Sequence, residues 1–332
     1  MVRFSKGFKG WTIILLLMVV VITGCSANSE SKVEQDSPSG AGASGESTSE
    51  TTEKEAETRV VQDEFGDVTI PVHPQRIAGI YVEDYLKALD ITPVVQWYNP
   101  MWGVQEYLDL DVPRFDLTGS IEALLQYDPD LIIVDGVDAA TYEMYSKVAP
   151  TYRLPEEILQ DSNQILTTIA DVVGKPEKGA EVVAEFEGKI ADAKSKLQEA
   201  IGNETVAVVR LNVTEKTLAL FGVKNRLTGF IYSGVGLTPH PLAANMKEYQ
   251  ELLSEEAIPE LDADHIIVFP SNGNWSSKEN EAAIKVLDGK LWQSLPAVKN
   301  KHVYMMERSH WQSGAVIANS MKIDDLLQKM AP

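Results

Sequence analysis

Cysteine, histidine and positive charge are all scarce in this chain of 332 residues. Cys25 is the only cysteine, so no internal disulfide can form and a thiolate metal centre is excluded. The five histidines (His73, His240, His265, His302 and His310) include no close pair and no His-rich loop, which argues against a centre for a bare zinc or manganese ion. Lys and Arg number 29 against 49 Asp and Glu, a formal net charge of −20. Such a balance leaves no basic stripe for nucleic acid. No Gly-x-Ser-x-Gly, Walker loop or His-Glu-x-x-His occurs, so nothing marks an enzyme.

What is present begins with a leader. Three basic residues (Arg3, Lys6, Lys9) precede the apolar run WTIILLLMVVVIT, and no acidic residue interrupts them. That is the pattern of a secretory signal, too short in its apolar part for a confident membrane span. Removing residues 1–24 leaves a charge of −23. The run ends Ile22-Thr23-Gly24-Cys25, which resembles the lipobox of bacterial lipoproteins. The resemblance implies lipidation of Cys25, cleavage before it, and anchoring by two or three acyl chains. From Ser26 to about Glu57 there is no aromatic residue and almost nothing to bury, so residues 25–58 read as the lipidated cysteine and a disordered, Ser- and Glu-rich tether.

The folded part alternates strand-like and helical patterns, the mark of an α/β architecture with mostly parallel sheets. Residues 59–175 read as one lobe, 176–202 as a long amphipathic helix, and 203–332 as a second lobe. Phe186, Ile190, Ala193, Leu197 and Ile201 form a single apolar stripe along the helix, which reads as a rigid connector. SIEALLQYDPDLIIV (120–134) and SEEAIPELDADHIIV (254–268) agree at eight of fifteen positions in register. One phrase therefore occurs once in each lobe, as a helix leading through Asp-x-Asp into an apolar strand.

The candidate binding residues are aromatic residues and arginines near strand ends. Tyr81 follows the strand RIAGI, and Trp97, Tyr98 and Trp102 crowd into six residues read as a loop. Arg210 interrupts the apolar strand VAVVRL and needs an acidic partner or a cleft. Arg226, Tyr232, Arg308 and Trp311 complete the set, with Arg114 and Arg153 as weaker candidates.

The lipobox, the tether, the two lobes with one long helix, and the phrases IEALLQYDPDLIIV, LDADHIIV and LWQSLPAVKNKHVYMM together resemble the substrate-binding lipoproteins of iron-siderophore ABC importers. The resemblance covers about residues 59–330. It implies capture of a ferric siderophore in an interlobe cleft, with the iron already coordinated by the siderophore and no cofactor on the protein. It also implies a monomer, lipid-anchored on the outer face of a Gram-positive cell membrane, and a docking role for Glu122 and Glu256 on a dimeric ABC permease. Aromatic residues outnumber lysines among the candidates, which favours a hydroxamate cargo over catecholate or citrate. Haem and cobalamin remain open within the family, and a structural or adhesive lipoprotein is the alternative of another class.

Overall fold

The computed structural model describes residues 57–100, 103–212 and 217–332. The leader, Cys25, nearly all of the tether and Trp102 lie outside the described residues.

The chain opens with an antiparallel hairpin, β1 (Thr58–Asp63) and β2 (Gly66–Pro71). The first lobe then follows. Its parallel sheet has the order β3 (Ile77–Ile80), β6 (Leu131–Val134), β7 (Thr151–Arg153), with a separate parallel pair of β4 (Gln96–Tyr98) and β5 (Arg114–Asp116). Helices α1 (Glu83–Ala88), α2 (Ala139–Ser146) and α3 (Ser162–Val172) belong to the same lobe. Next comes α4, Pro176–Ile201, with Pro176 in its first turn, where a missing N–H costs nothing.

In the second lobe β8 (Thr205–Asn212) and β9 (Thr217–Phe221) are antiparallel neighbours. β10 (Thr238–Pro239), β11 (Gln250–Leu253), β12 (His265–Pro270) and β13 (Val303–Met305) complete the sheet, in the order β11-β9-β8-β12-β13, with β10 beside the start of β8. The closing helix, Val316–Met330, packs back onto α4 and α1.

Two-faced burial explains the apolar strands. In β6, Leu131 and Ile133 join the core that runs along α4, while Ile132 and Val134 join a second core on the opposite face. In β8, Val206 and Val208 face the α4 side and Ala207, Val209 and Leu211 face away. A period of two puts Arg210 on the α4 side, at the strand's carboxyl end, where the apolar layer stops and the cleft begins.

The repeated phrase keeps its turn chemistry in both lobes. The Asp130 carboxylate accepts from the backbone N–H groups of Gln75 (2.7 Å) and Arg76 (3.0 Å), just before β3. The Asp264 carboxylate accepts from Thr205 N (2.7 Å) at the start of β8. Each aspartate therefore ties the strand it introduces to the parallel neighbour. The helical part differs from expectation. Ile121–Tyr127 and Glu255–Glu260 are 3₁₀ helices, not α-helices. Pro259 inside the second and left-handed Asp128 at the end of the first leave no room for another α turn.

Candidate ligand-binding site

A cavity of about 630 Å³ lies between the lobes at the carboxyl ends of the strands, where α/β sheets place their ligands. Tyr81 and Trp97 come from the first lobe; Arg210, Arg226 and Arg308 come from the second.

The aromatic wall is built from the first lobe's strand ends. Tyr81 ends the β3 segment in a left-handed conformation, φ 66°, which a bulky residue adopts only when its surroundings enforce it. Its ring packs on Trp97, with centroids 4.7 Å apart. Trp97 lies within β4 rather than in a loop and is nearly buried, its backbone N–H donating to Glu83 Oε1 at 2.9 Å. Glu83 itself is fully buried, and that burial raises its carboxyl to about 8.

The cationic wall is the second lobe's. Arg210 Nε donates to Asn212 Oδ1 at 3.1 Å, and its two Nη groups reach Gln312 and Gln250 Oε1 at 3.4 Å. Its guanidinium also lies 5.3 Å from the centre of the Phe221 ring. Arg308 Nε donates to the Ser271 carbonyl at 2.6 Å. Burial, and then the positive charge of Arg210, push the Arg308 pKa down. Two mutually repelling cations on one half-buried wall favour an anionic or oxygen-rich guest.

Other expected residues stand elsewhere. Arg226 reaches the cavity but pairs with Asp135 of the first lobe. Trp311 does not line the cavity. It is fully buried, donates from Nε1 to Asp325 Oδ2 at 2.7 Å and packs against Phe269. Tyr232 is also a core residue, its hydroxyl donating to the Val206 carbonyl at 3.3 Å. Both corrections have one cause: a short helix turns each ring inward onto the layer under β8 and β12. Tyr98 is half-buried outside the cavity lining, with the Arg114 guanidinium 5.8 Å from its ring centre. Arg153 is buried against Glu64 and Glu156. Sequence reasoning missed Asn212, Gln250, Leu252, Gln312 and Asp135, all in the lining. Neutral amides carry no sequence signal. Asp135 had one, since it directly follows the apolar strand LIIV.

Haem would need an axial Tyr or His, for which the sequence offers Tyr81, Tyr98, Tyr232 and His310. Tyr81 reaches the cavity and Tyr98 lies outside its lining, whereas Tyr232 and His310 are buried and bonded, His310 to Asp325 at 2.7 Å. Glu204, His265 and His302 do converge, at the opposite end of the β8, β12 and β13 region. The two imidazole rings stack at 4.6 Å with planes only 11° apart. An ion bonds close to the plane of each imidazole, and two rings stacked face to face cannot both aim a lone pair at one nearby point. His265 already bonds Tyr304 OH at 3.0 Å and Glu204 at 2.5 Å. The cluster is polar packing.

Glu122 and Glu256 are both exposed, each two residues beyond a serine that opens its 3₁₀ turn. The Ser120 hydroxyl donates to Glu122 and, with the local backbone N–H, lowers its pKa. Its own backbone N–H and then Ser254 lower that of Glu256. Both stay charged.

Two α/β lobes, one long helix and a polar cavity at the strand ends are the architecture of a bilobal solute-binding protein. The chain belongs to the periplasmic binding protein family, whose model matches residues 86–309. It is similar to the iron(3+)-hydroxamate-binding protein FhuD of Bacillus subtilis, 29% identical over 90% of each chain. It is also similar to the probable siderophore-binding lipoprotein YfiY of the same organism, 30% identical over 85% of this chain and 90% of that one. Among solved structures, a FhuD fold-family component of a ferrichrome ABC transporter from Bacillus subtilis matches with a TM-score of 0.70 at 26% identity, over 82% of this chain and 99% of that one. This is a substrate-binding protein of the FhuD-like, siderophore-binding group.

Proposed function

We propose that this protein is the substrate-binding lipoprotein of an ABC importer and that it captures a ferric hydroxamate siderophore in the interlobe cavity. The observation that carries the reading is the facing pair of walls: Tyr81 and Trp97 on one lobe, Arg210 and Arg308 on the other. The arginines meet the oxygen shell of the complex, and the aromatic rings cover its apolar linkers. Iron arrives already coordinated, so the protein supplies no ligand to it. Cys25 carries the lipid anchor on the outer face of the cell membrane, and a monomer delivers its cargo by setting Glu122 and Glu256 against a two-subunit permease. The relatives named for iron(3+)-hydroxamate binding support the hydroxamate choice. A second reading, ferric citrate, is favoured by the two arginines on one wall and by 26% identity to the Fe(3+)-citrate-binding protein YfmC of Bacillus subtilis.

Trp97 in the cavity wall makes fluorescence the direct test. The purified mature protein is titrated with ferric trihydroxamate, ferric catecholate, ferric citrate, haem and cobalamin. Saturable quenching strongest with the trihydroxamate is expected. Quenching by haem or cobalamin alone refutes the siderophore reading.

A further inference from the structure

We propose that Asp135 is a charge-selectivity residue of the cleft: it fills the carboxylate-binding fork of Arg226 and withholds one of the cavity's three guanidiniums from the cargo. The inference rests on the cavity being the siderophore site. Arg210, Arg226 and Arg308 all line it, and Asp135 is the one carboxylate among the described residues of its lining.

The contact is end-on, through the two Nη groups. Arg226 Nη2 donates to Asp135 Oδ2, and Nη1 lies 3.4 Å from Oδ1. A ligand carboxylate engages a guanidinium in this same two-pronged way. Asp135 is only 9% exposed, against 36% for Arg226, so the anion sits deeper than the cation it holds.

Both partners are fixed in place. Asp135 follows β6 directly, and its backbone N–H donates to the Ile80 carbonyl at 3.3 Å. The Arg226 loop is pinned by Asn225, whose Oδ1 accepts from Leu227 N at 2.9 Å and whose Nδ2 donates to the Tyr249 carbonyl at 3.1 Å. Gly314 lies against the same loop so closely that a Cβ there would stand 2.5 Å from the Arg226 carbonyl oxygen. An internal carboxylate held so close competes at high effective concentration with any external one. Burial opposes the Arg226 charge, yet Asp135, with Tyr85 and Glu156 behind it, keeps the Arg226 pKa above its ordinary value.

The pairing makes the site discriminate. A cargo needing a third cation must displace Asp135 and leave it buried and unpaired, which is the kind of penalty that generates specificity. Asp135 thus biases the cleft against polycarboxylate complexes and toward weakly charged ones. Arg226 also lines a neighbouring cavity of about 550 Å³, so the pair stands as a post between two chambers and joins the lobes.

Asp135→Asn keeps the shape and removes the charge. Tryptophan fluorescence gives dissociation constants for ferric citrate and for a neutral ferric trihydroxamate. Asp135→Asn is expected to shift the ratio of the two affinities at least tenfold toward citrate, and Arg226→Gln to shift it as far the other way. The Asp135→Asn/Arg226→Gln double variant is expected to lie near the wild type. Ratios within twofold of wild type in both single variants overturn the inference, as does a citrate gain that survives in the double variant. Should one single variant fail to fold, as judged by thermal unfolding, the opposite shift in the other decides. A wild type that binds neither probe overturns this inference, and it overturns the siderophore reading as well where ferric catecholate also fails to bind.

Discussion

Glu83 is the residue where burial and charge conflict most openly. It has no accessible surface, its Oε1 accepts from Trp97 N at 2.9 Å, and burial raises its pKa from an ordinary 4.5 to about 8. A carboxyl whose folded pKa exceeds its unfolded one favours folding below the unfolded value. It loses that advantage as pH rises through the folded one. The window here is therefore about 4.5 to about 8. Glu83→Gln cannot ionise, so its stability relative to wild type is expected to improve between pH 5 and pH 8 by ~1 kcal/mol or more. Thermal unfolding of both proteins at pH 5, 6.5 and 8 checks this, and a gap independent of pH contradicts it. None of this was legible in VEDYLKALD, whose pattern does not show what covers Glu83. Only tertiary packing, which sets Glu83 beneath the Trp97 backbone, removes it from water.

At the scale of elements, α1 and the closing helix are joined by one side chain. Asp84, nearly inaccessible, accepts from Ile317 N at 2.9 Å and Ala318 N at 3.1 Å, and so caps the closing helix from the other lobe. Tyr107 OH donates to the same carboxylate at 2.7 Å. Nearby, Lys322 is fully buried and donates to the carbonyls of Leu227 and Ser313; burial lowers its pKa to about 7. Asp84→Ala is expected to destabilise the fold by ~3 kcal/mol, because it strands two helix N–H groups and the neighbouring cation. Urea unfolding measures it, and a loss below ~1 kcal/mol would mean that water replaces the cap. The two 3₁₀ turns carry a different expectation. Glu122→Lys with Glu256→Lys should abolish iron uptake by cells while siderophore affinity of the purified protein stays within about twofold, since both carboxylates are exposed and remote from the cavity lining. Normal uptake by the double variant ends the docking proposal.

For the whole molecule, the strands and the long helix were legible because each carries a periodic apolar signal. LIIV and HIIV are buried on both faces, and α4 keeps its stripe at steps of three and four. The repeated phrase located equivalent places in the two lobes, and most of its identities reflect turn and strand chemistry. The arginine in VAVVRL was legible in part: a charge inside a buried strand needs an acidic partner or a cleft, and Arg210 lines the cavity. Trp97 lines the cavity as expected, whereas Trp311 and Tyr232 stand in the core, for one reason. Whether an aromatic residue ends in core or cleft depends on which sheet layer lies beneath it, and that layer comes from residues far away in the chain. Trp97 sits under Tyr81 at the cavity, while Trp311 sits on Phe269 within the core.

The sequence alone determined an α/β chain of two repeated lobes with a lone cysteine and a strongly acidic composition. Those properties follow from local periodicity and composition, which need no knowledge of distant contacts. Tertiary structure decided which polar groups share a space. Asp135 meets Arg226 across 91 positions of sequence and Asp84 meets Ala318 across 234. His265 and His302 come together without making a metal centre. Such pairings depend on how the lobes pack, and packing is fixed by the summed burial of both cores rather than by any segment that contains the pair.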